Sequence, residues 1–370
     1  MDFLRRRLDR AVRTGGHRTL PGTPQGIDFW SNDYLGFARR GWPTIPEGRV
    51  GGSGGSRLIS GDSSLADATE QRIADYHGYP SALTFHSGYT ALQGLVSTVA
   101  RRGDVILYDE LIHACCHDGM RLSRADCFRF AHNDMQGLER RLAGVRTEGN
   151  AFVLTEARFS MDGDEAPLEY LIEYCRGAGA HLIVDEAHSF GTLGSGGRGL
   201  VAAGGYQSDV FATVVTYGKA GGYHGAAVLG STTLREYLVN FCRPFIFTTA
   251  PGAGFYHTLN ALYDRLSTES RTAVAELENV RKYWTKATAA AGLEDLVIPW
   301  NFGPIQIIKI AGNERVMRVE SACRTAGYLV KGIRAPTVRA GRERLRICLH
   351  SFNTEAEVDG LVSTLTTVLR

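Results

Sequence analysis

Lys219 stands in FATVVTYGKAGGYHGAAVLG (211–230), where Thr, Tyr, Gly and Ala separate two apolar runs, a poor place to hydrate an ammonium group. The chain has five lysines, Lys219, Lys282, Lys286, Lys309 and Lys331, and arginine carries most of its positive charge. A lysine kept where arginine is the habit points to an amine that must lose its proton, which guanidinium does not do. Desolvation by neighbouring strands would lower its pKa and make it a nucleophile able to form a Schiff base. The same residue is also compatible with a surface turn rich in glycine.

In HLIVDEAHSFG an apolar run leads into Asp185 and then His188. An acid at the carboxyl end of a strand in an open α/β sheet lies where such sheets bind ligands. There it can keep a proton on a ring nitrogen and so turn the ring into an electron sink. Its competing role is to cap the helix after the strand. LYDELIHACCHDG offers His113, Cys115, Cys116 and His117. Zinc would need a second pair of ligands at matching spacing, and none is present. His113, at a strand-to-helix junction, reads better as an imidazole stacked on a flat ring. GSGGRG (194–199) matches G-x-G-x-x-G, but it follows its strand too late and lacks the acid about 20 residues on, so a dinucleotide site is not expected.

These residues need a frame. The β-rich runs SALTF, VILYD, CFRF, AFVLTE, HLIVDE, FATVV and AAVLG recur between residues 81 and 230, most separated by segments long enough for a helix. Such alternation predicts a mostly parallel sheet covered on both faces. In SGDSSLADATEQRIADYHG, Ser64 and Asp67 have capping-box spacing, Leu65, Ile73 and Tyr76 supply apolar positions, and Gly78 can end the helix. After FTTAPG the pattern changes to a helical stretch of about 40 residues and then to strand, helix, strand and helix, a smaller α+β unit. The expected division is an N-terminal segment 1–45, a large domain 46–255 and a small domain 256–370. The glycine-rich 48–61 reads as an ordered loop because of its arginines and of Leu58 and Ile59.

Composition narrows the partners. A formal net charge of +2 gives no electrostatic reason to expect nucleic acid or an anionic membrane. Arg5, Arg6, Arg7, Arg10 and Arg13 alternate with Phe3, Leu4, Leu8 and Val12 as on an amphipathic helix. No run reaches the roughly 18 to 20 apolar residues of a membrane span. Seven cysteines without a C-x-x-C pair suit free thiols in a reducing cytoplasm.

From DFWSNDYLGFA (28–38) through GSGGSRLISGDS, FHSGYTA, DELIHA, AHND, TEARFSMDGDEAPL, VDEAHSFGTLG, TYGKAGGYHGAAVLG and FIFTTAP to IRAPTVRAGRERLRICLHSFNT (333–354), nearly the whole chain resembles the α-oxoamine synthases. These are pyridoxal 5'-phosphate enzymes of fold type I, the aspartate aminotransferase-like α/β fold with a seven-stranded, mostly parallel sheet and a smaller α+β C-terminal domain. The resemblance implies that Lys219 carries the cofactor, that His113 stacks on it, that Asp185 faces its ring nitrogen and that His188 donates to its ring hydroxyl oxygen. It places Ser87, Gly88 and Tyr89 at the helix N-terminus that seats the cofactor, Glu156 and Ser160 beside the ring, and Thr216 on the phosphate. Thr248 and Thr249 would reach the phosphate of a neighbouring subunit, which implies a homodimer. Asn32 and Arg346 would hold an amino-acid carboxylate, while Thr337, Arg334 and Arg339 are candidates for an acyl thioester carried by coenzyme A or by an acyl carrier protein. No metal is implied. The sequence departs from the family pattern at Ala66 and Leu92, at Cys115, and at Ser189 and Phe190; Phe190 and Tyr223 bear on the shape of the acyl pocket.

Overall fold

The computed structural model describes residues 1–13, 16–23, 25–43, 51–145, 148–298 and 302–370. Two compact units emerge. The larger comprises residues 35–160 and 164–275, and the smaller comprises 1–34, 161–163 and 276–370. The expected divisions after residues 45 and 255 fall elsewhere: the first lies outside the described residues, and the second lies just inside the helix Ala253–Ala290. The segment before residue 35 clusters with the C-terminal unit.

In the larger unit seven apolar runs form one sheet: β1 (Ser81–Phe85), β2 (Val105–Asp109), β3 (Asp126–Phe130), β4 (Ala151–Glu156), β5 (His181–Asp185), β6 (Ala212–Thr216) and β7 (Ala226–Gly230). Their order is β1-β7-β6-β5-β4-β2-β3. All neighbours are parallel except β7, which runs antiparallel to both β1 and β6. The reason is local: residues 217–225 are too few for a crossover helix, so the chain turns back beside β6. Leu83, Ile106, Leu154, Ile183, Val214 and Val228 from six strands meet helix residues such as Leu92, Leu95 and Met120 in one core.

The helix Ser64–His77 is capped one residue earlier than expected. Ser63, not Ser64, is the N-cap, and its hydroxyl accepts from the Ala66 amide at 3.2 Å. Gly78 ends the helix with φ 76°, the left-handed conformation that glycine adopts without penalty. Residues 48–50 of the glycine-rich segment lie outside the described residues. Within 51–61, order comes from Arg57 and not from the apolar pair, because Leu58 and Ile59 are exposed. Arg57 reaches Glu70 at 2.9 Å and Asp62 at 2.5 Å, and Glu70 also takes Arg235 at 2.9 Å and both the amide and hydroxyl of Thr84.

The smaller unit holds an antiparallel sheet of β8 (Ile305–Lys309), β9 (Lys331–Ile333) and β10 (Arg344–Cys348) in the order β9-β10-β8. A two-residue parallel pair joins Ile27–Asp28 to Tyr328–Leu329. The helix Asp2–Arg13 has no buried residue. All seven cysteines are free, and no described helix is long and apolar enough to cross a membrane.

Candidate active site

The chemistry of the larger unit gathers at the carboxyl ends of its parallel strands, where the open sheet leaves room for a ligand. Asp185 ends β5 and pairs in register with Glu156 at the end of β4. His113 caps the helix Ala114–Ser123 that follows β2. Lys219 lies in the loop after β6, and its amine is 2.8 Å from Nε2 of His188.

Burial sets the electrostatics. Asp185 and Glu156 are 5% and 2% exposed, and loss of water raises both carboxyl pKa values, with Lys219 pulling each back down. Asp185 Oδ1 accepts the Ala187 amide at 2.9 Å. Glu156 Oε2 accepts only a 3.3 Å bond from the Ser160 amide, and Glu156 Oε1 is buried without a partner among the described residues. A buried acceptor left empty costs roughly 1 to 3 kcal/mol, so this constellation is unfinished by itself.

Thr216, at the end of β6, has a buried hydroxyl that also meets no partner among the described residues. Beside it begins the helix Gly88–Val99, capped by Ser87 in a capping box with Thr90. Gly88 and Tyr89 occupy the first turn, where backbone N–H groups lack intrahelical acceptors and favour an anion. A Cβ on Gly88 would stand 2.5 Å from Cγ2 of Thr216, so only glycine lets the helix end approach the threonine this closely. Hydroxyl, free amides and helix end together form a cradle suited to an anion. An amine near a strand end, a buried acid, an exposed imidazole at a helix cap and this helix end fit pyridoxal 5'-phosphate group by group.

His113 is exposed, and its Nδ1 lies 3.0 Å from Sγ of Cys115. Its pKa is raised by that hydrogen bond, while burial opposes the rise. The Cys115 thiol, hydrogen-bonded by Cys116 and His113, is lowered to about 6 against its own burial. Cys115, weighed in the sequence as a zinc ligand and as a departure from the family pattern, is here a thiol activated by Cys116 and by the histidine two residues before it. Among the described residues no group of three or more His, Cys, Asp or Glu is placed to hold a metal ion. GSGGRG serves the scaffold: Glu186 accepts the amides of Leu200 and Val201 at 2.8 and 2.7 Å, just beyond the motif. Tyr89 packs edge-on to His113 with centroids 6.3 Å apart. Thr248 is half-buried, and exposed Thr249 gives its carbonyl to His86 at 2.6 Å.

The AHND segment holds a charge clamp that no spacing in the sequence signals. His132 sits between Asp109 at 3.0 Å and Asp164 at 2.7 Å. Burial lowers its pKa, but the two carboxylates outweigh that and bring it to about 10.

In the smaller unit Arg346 of β10 is 7% exposed and donates to Asn32 Oδ1 at 3.0 Å and to Cys348 Sγ at 3.0 Å. Tyr34 also donates to Asn32 at 3.0 Å, so Arg346 and Asn32 meet as the sequence implied. Arg344 pairs with Asp162. Thr337 and Arg339 are exposed and Arg334 is half-buried.

With fold and site described, comparison with known proteins is direct. A family model for aminotransferase class I and II matches residues 24–365, and the chain belongs to that family. Relatives called 8-amino-7-oxononanoate synthase are similar along its length: one from Emericella nidulans is 38% identical over 100% of this chain and 95% of its own, and one from Methylococcus capsulatus is 40% identical over 94% and 89%. Among solved structures, an 8-amino-7-oxononanoate synthase from Francisella tularensis superposes with TM-score 0.77 at 26% identity, covering 93% of this chain and 98% of that one. A serine palmitoyltransferase from S. paucimobilis with bound PLP shares the fold, with TM-score 0.88 at 24% identity over 99% and 96%. Within the family this chain is a pyridoxal-phosphate-dependent acyltransferase of the α-oxoamine synthase group.

Proposed function

We propose that the protein joins L-alanine to a pimeloyl thioester with loss of CO2, giving 8-amino-7-oxononanoate for biotin synthesis. The observation that carries this reading is the full-length similarity, at 38–40% identity, to relatives of that name. Bound pyridoxal phosphate supplies the electron sink that stabilises a carbanion at the amino acid's α-carbon. Lys219 takes the α-proton on its amine, and His188 exchanges a proton with that amine across their 2.8 Å contact. Asp185 holds a proton on the ring nitrogen, a task suited to a buried carboxylate. His113 would cover the ring face, while Ser87, the Gly88 and Tyr89 amides and Thr216 would hold the phosphate. Glu156 and Ser160 border the ring. Arg346 and Asn32 are the groups suited to the amino-acid carboxylate, since guanidinium binds carboxylate in a fixed fork. Thr337, Arg334 and Arg339 are assigned to the thioester, on coenzyme A or a carrier protein. Thr248 and Thr249 are assigned to the cofactor phosphate of a second subunit, so the working form is a homodimer, in the cytoplasm where its thiols stay reduced.

A second reading, a sister synthase acting on serine or glycine or on another acyl chain, is favoured by the fold likeness to serine palmitoyltransferase. A pocket that accepts a methyl group rejects one methylene more by only about 1 to 3 kcal/mol, so discrimination is graded. CO2 release over a panel of amino acids and acyl thioesters decides between them. Alanine with pimeloyl thioester is expected to lead; a lead for serine, glycine or a longer acyl chain selects the second reading.

A further inference from the structure

A buried polar chain begins two residues before Lys219, and the proposed reaction does not use it directly. Tyr217, two residues before Lys219, is fully buried, as are Tyr263 and Phe190, and His77 is 1% exposed. The Tyr217 and Tyr263 hydroxyls are 3.3 Å apart, His77 Nε2 is 3.0 Å from Tyr263, and His77 Nδ1 is 3.0 Å from the Arg198 carbonyl. The polarity of the chain follows from its last link. A carbonyl only accepts, so Nδ1 carries a proton. Burial lowers the His77 pKa to about 4, so the ring is neutral at neutral pH and Nε2 accepts. Tyr263 therefore donates to His77, and its oxygen is left to accept from Tyr217.

The packing ties this chain to both partners of the Lys219–His188 contact. Phe190, two residues after His188, lies 5.8 Å from the Tyr217 ring, 5.6 Å from His77 and 6.5 Å from Tyr263. Tyr217 also fixes the loop that bears the lysine: its amide donates to Gly225 at 3.0 Å, and its carbonyl accepts the Tyr223 amide at 2.8 Å. Gly222, at φ +64°, closes the same loop onto the Lys219 carbonyl at 2.8 Å. One buried cluster thus holds the segment of the amine and the segment of the imidazole.

We propose that His77, Tyr263 and Tyr217 are positioning residues, a one-way hydrogen-bonded chain that fixes the Lys219 amine against His188. The inference rests on the function proposed above and adds residues to it. A phenol is the right last member because it anchors by a donated hydrogen bond while its ring packs on Phe190. Without the chain the loop keeps its strands and its backbone hydrogen bonds but loses the side-chain anchor at Tyr217.

Three variants test this: Tyr217→Phe, which keeps the ring; His77→Leu, which removes the acceptor; and His77→Gln, whose amide can donate to Arg198 and accept from Tyr263. The first readout needs no cofactor. Trace acetylation of the full chain as a function of pH, read on the Lys219 peptide by mass spectrometry, reports the proton affinity of that amine, with the other four lysines as internal controls. Tyr217→Phe and His77→Leu are expected to move the Lys219 midpoint by about half a pH unit or more, and His77→Gln to restore it. In the loaded enzyme, kcat should fall about five- to tenfold in the first two variants with KM for the amino acid unchanged, a loss within the usual contribution of a placed acid or base. An unmoved midpoint with unchanged kcat in Tyr217→Phe overturns the proposal, as does a rise in KM alone or a His77→Gln variant no better than His77→Leu. Should His77→Leu fail to fold, Tyr217→Phe decides. Reduction of the wild type with borohydride in the presence of pyridoxal phosphate tests the underlying function separately: no label on Lys219 refutes that reading whatever the acetylation shows.

Discussion

Two buried charge clusters of the larger unit use the same ingredients and differ in completeness. Around Glu70, 2% exposed, two arginines and both polar groups of Thr84 fill the carboxylate's valences. Glu156 is just as deep, yet one oxygen has a single long bond and the other none, and the Thr216 hydroxyl is also empty. A carboxylate removed from water needs its lone pairs met. The first cluster has its valences met by the fold and serves stability; the second, with a carboxyl oxygen and a hydroxyl left open beside a helix N-terminus, is suited to take a ligand. Completeness, more than burial or charge, separates the two.

That contrast can be broken by substitution. The largest effect is expected for Lys219→Ala, which on the proposed function removes both the cofactor's attachment and the acid–base amine: kcat should drop by about 10³-fold or more, and borohydride should no longer fix cofactor to the protein. Next comes Glu70→Ala in the satisfied cluster. It removes the buried partner of Arg57 and Arg235, leaving them the exposed Asp62 and Asp67, and should lower stability by about 3 kcal/mol in denaturant melts, with little change in kcat for the protein that remains folded. Asp185→Asn should retain most of the bound cofactor while reducing kcat by roughly 10²-fold, measured together with the cofactor's absorption spectrum.

Smaller, and opposite in sign, is the effect of Glu156→Gln on the cofactor-free protein. Neutralising a buried acid without adequate partners should leave the melting temperature unchanged or raise it, whereas the same change at Glu70 should lower it. The least effect is a pH dependence from His132. Its pKa is raised from 6.5 to about 10 in the folded protein, so its contribution to stability is complete below about pH 6.5 and is lost as pH rises through about 10. Melts of the wild type and of His132→Gln should converge toward alkaline pH; parallel curves would remove the clamp from the stability account.

Much of the frame was legible because strand runs and strand ends are local. HLIVD announces both the strand and the acid at its end, and the setting of Lys219 is visible in twenty residues. The cap of Ser64–His77 was misplaced because GDSSL offers adjacent hydroxyls with equivalent reach, and only the backbone at Ser63, extended at φ −159°, selects one. Arg57 with Glu70 and Arg235, or Tyr217 with Tyr263 and His77, are pairs made by tertiary folding. No period or spacing in one sequence signals them. The apolar pair Leu58 and Ile59 misled for the complementary reason: hydrophobicity marks what a segment contains, while its order here comes from an arginine.

The antiparallel seventh strand has a consequence for how the site assembles. Thr216 pairs with Ala226 and Ala212 with Gly230, so β6 and β7 form a hairpin whose loop bears Lys219. Closing such a short loop costs little chain entropy, and hairpins form in roughly microseconds. Joining β1 to β7 brings Ser81 to Gly230 across most of the sheet's sequence, and the Gly88 helix end reaches Thr216 only with that closure. Lysine and loop can therefore exist before the anion cradle does. Pulse-labelled hydrogen exchange during refolding should show amides of 212–230 protected ahead of those of 81–99, so that the cofactor meets an amine already in place and its anchoring site is completed last.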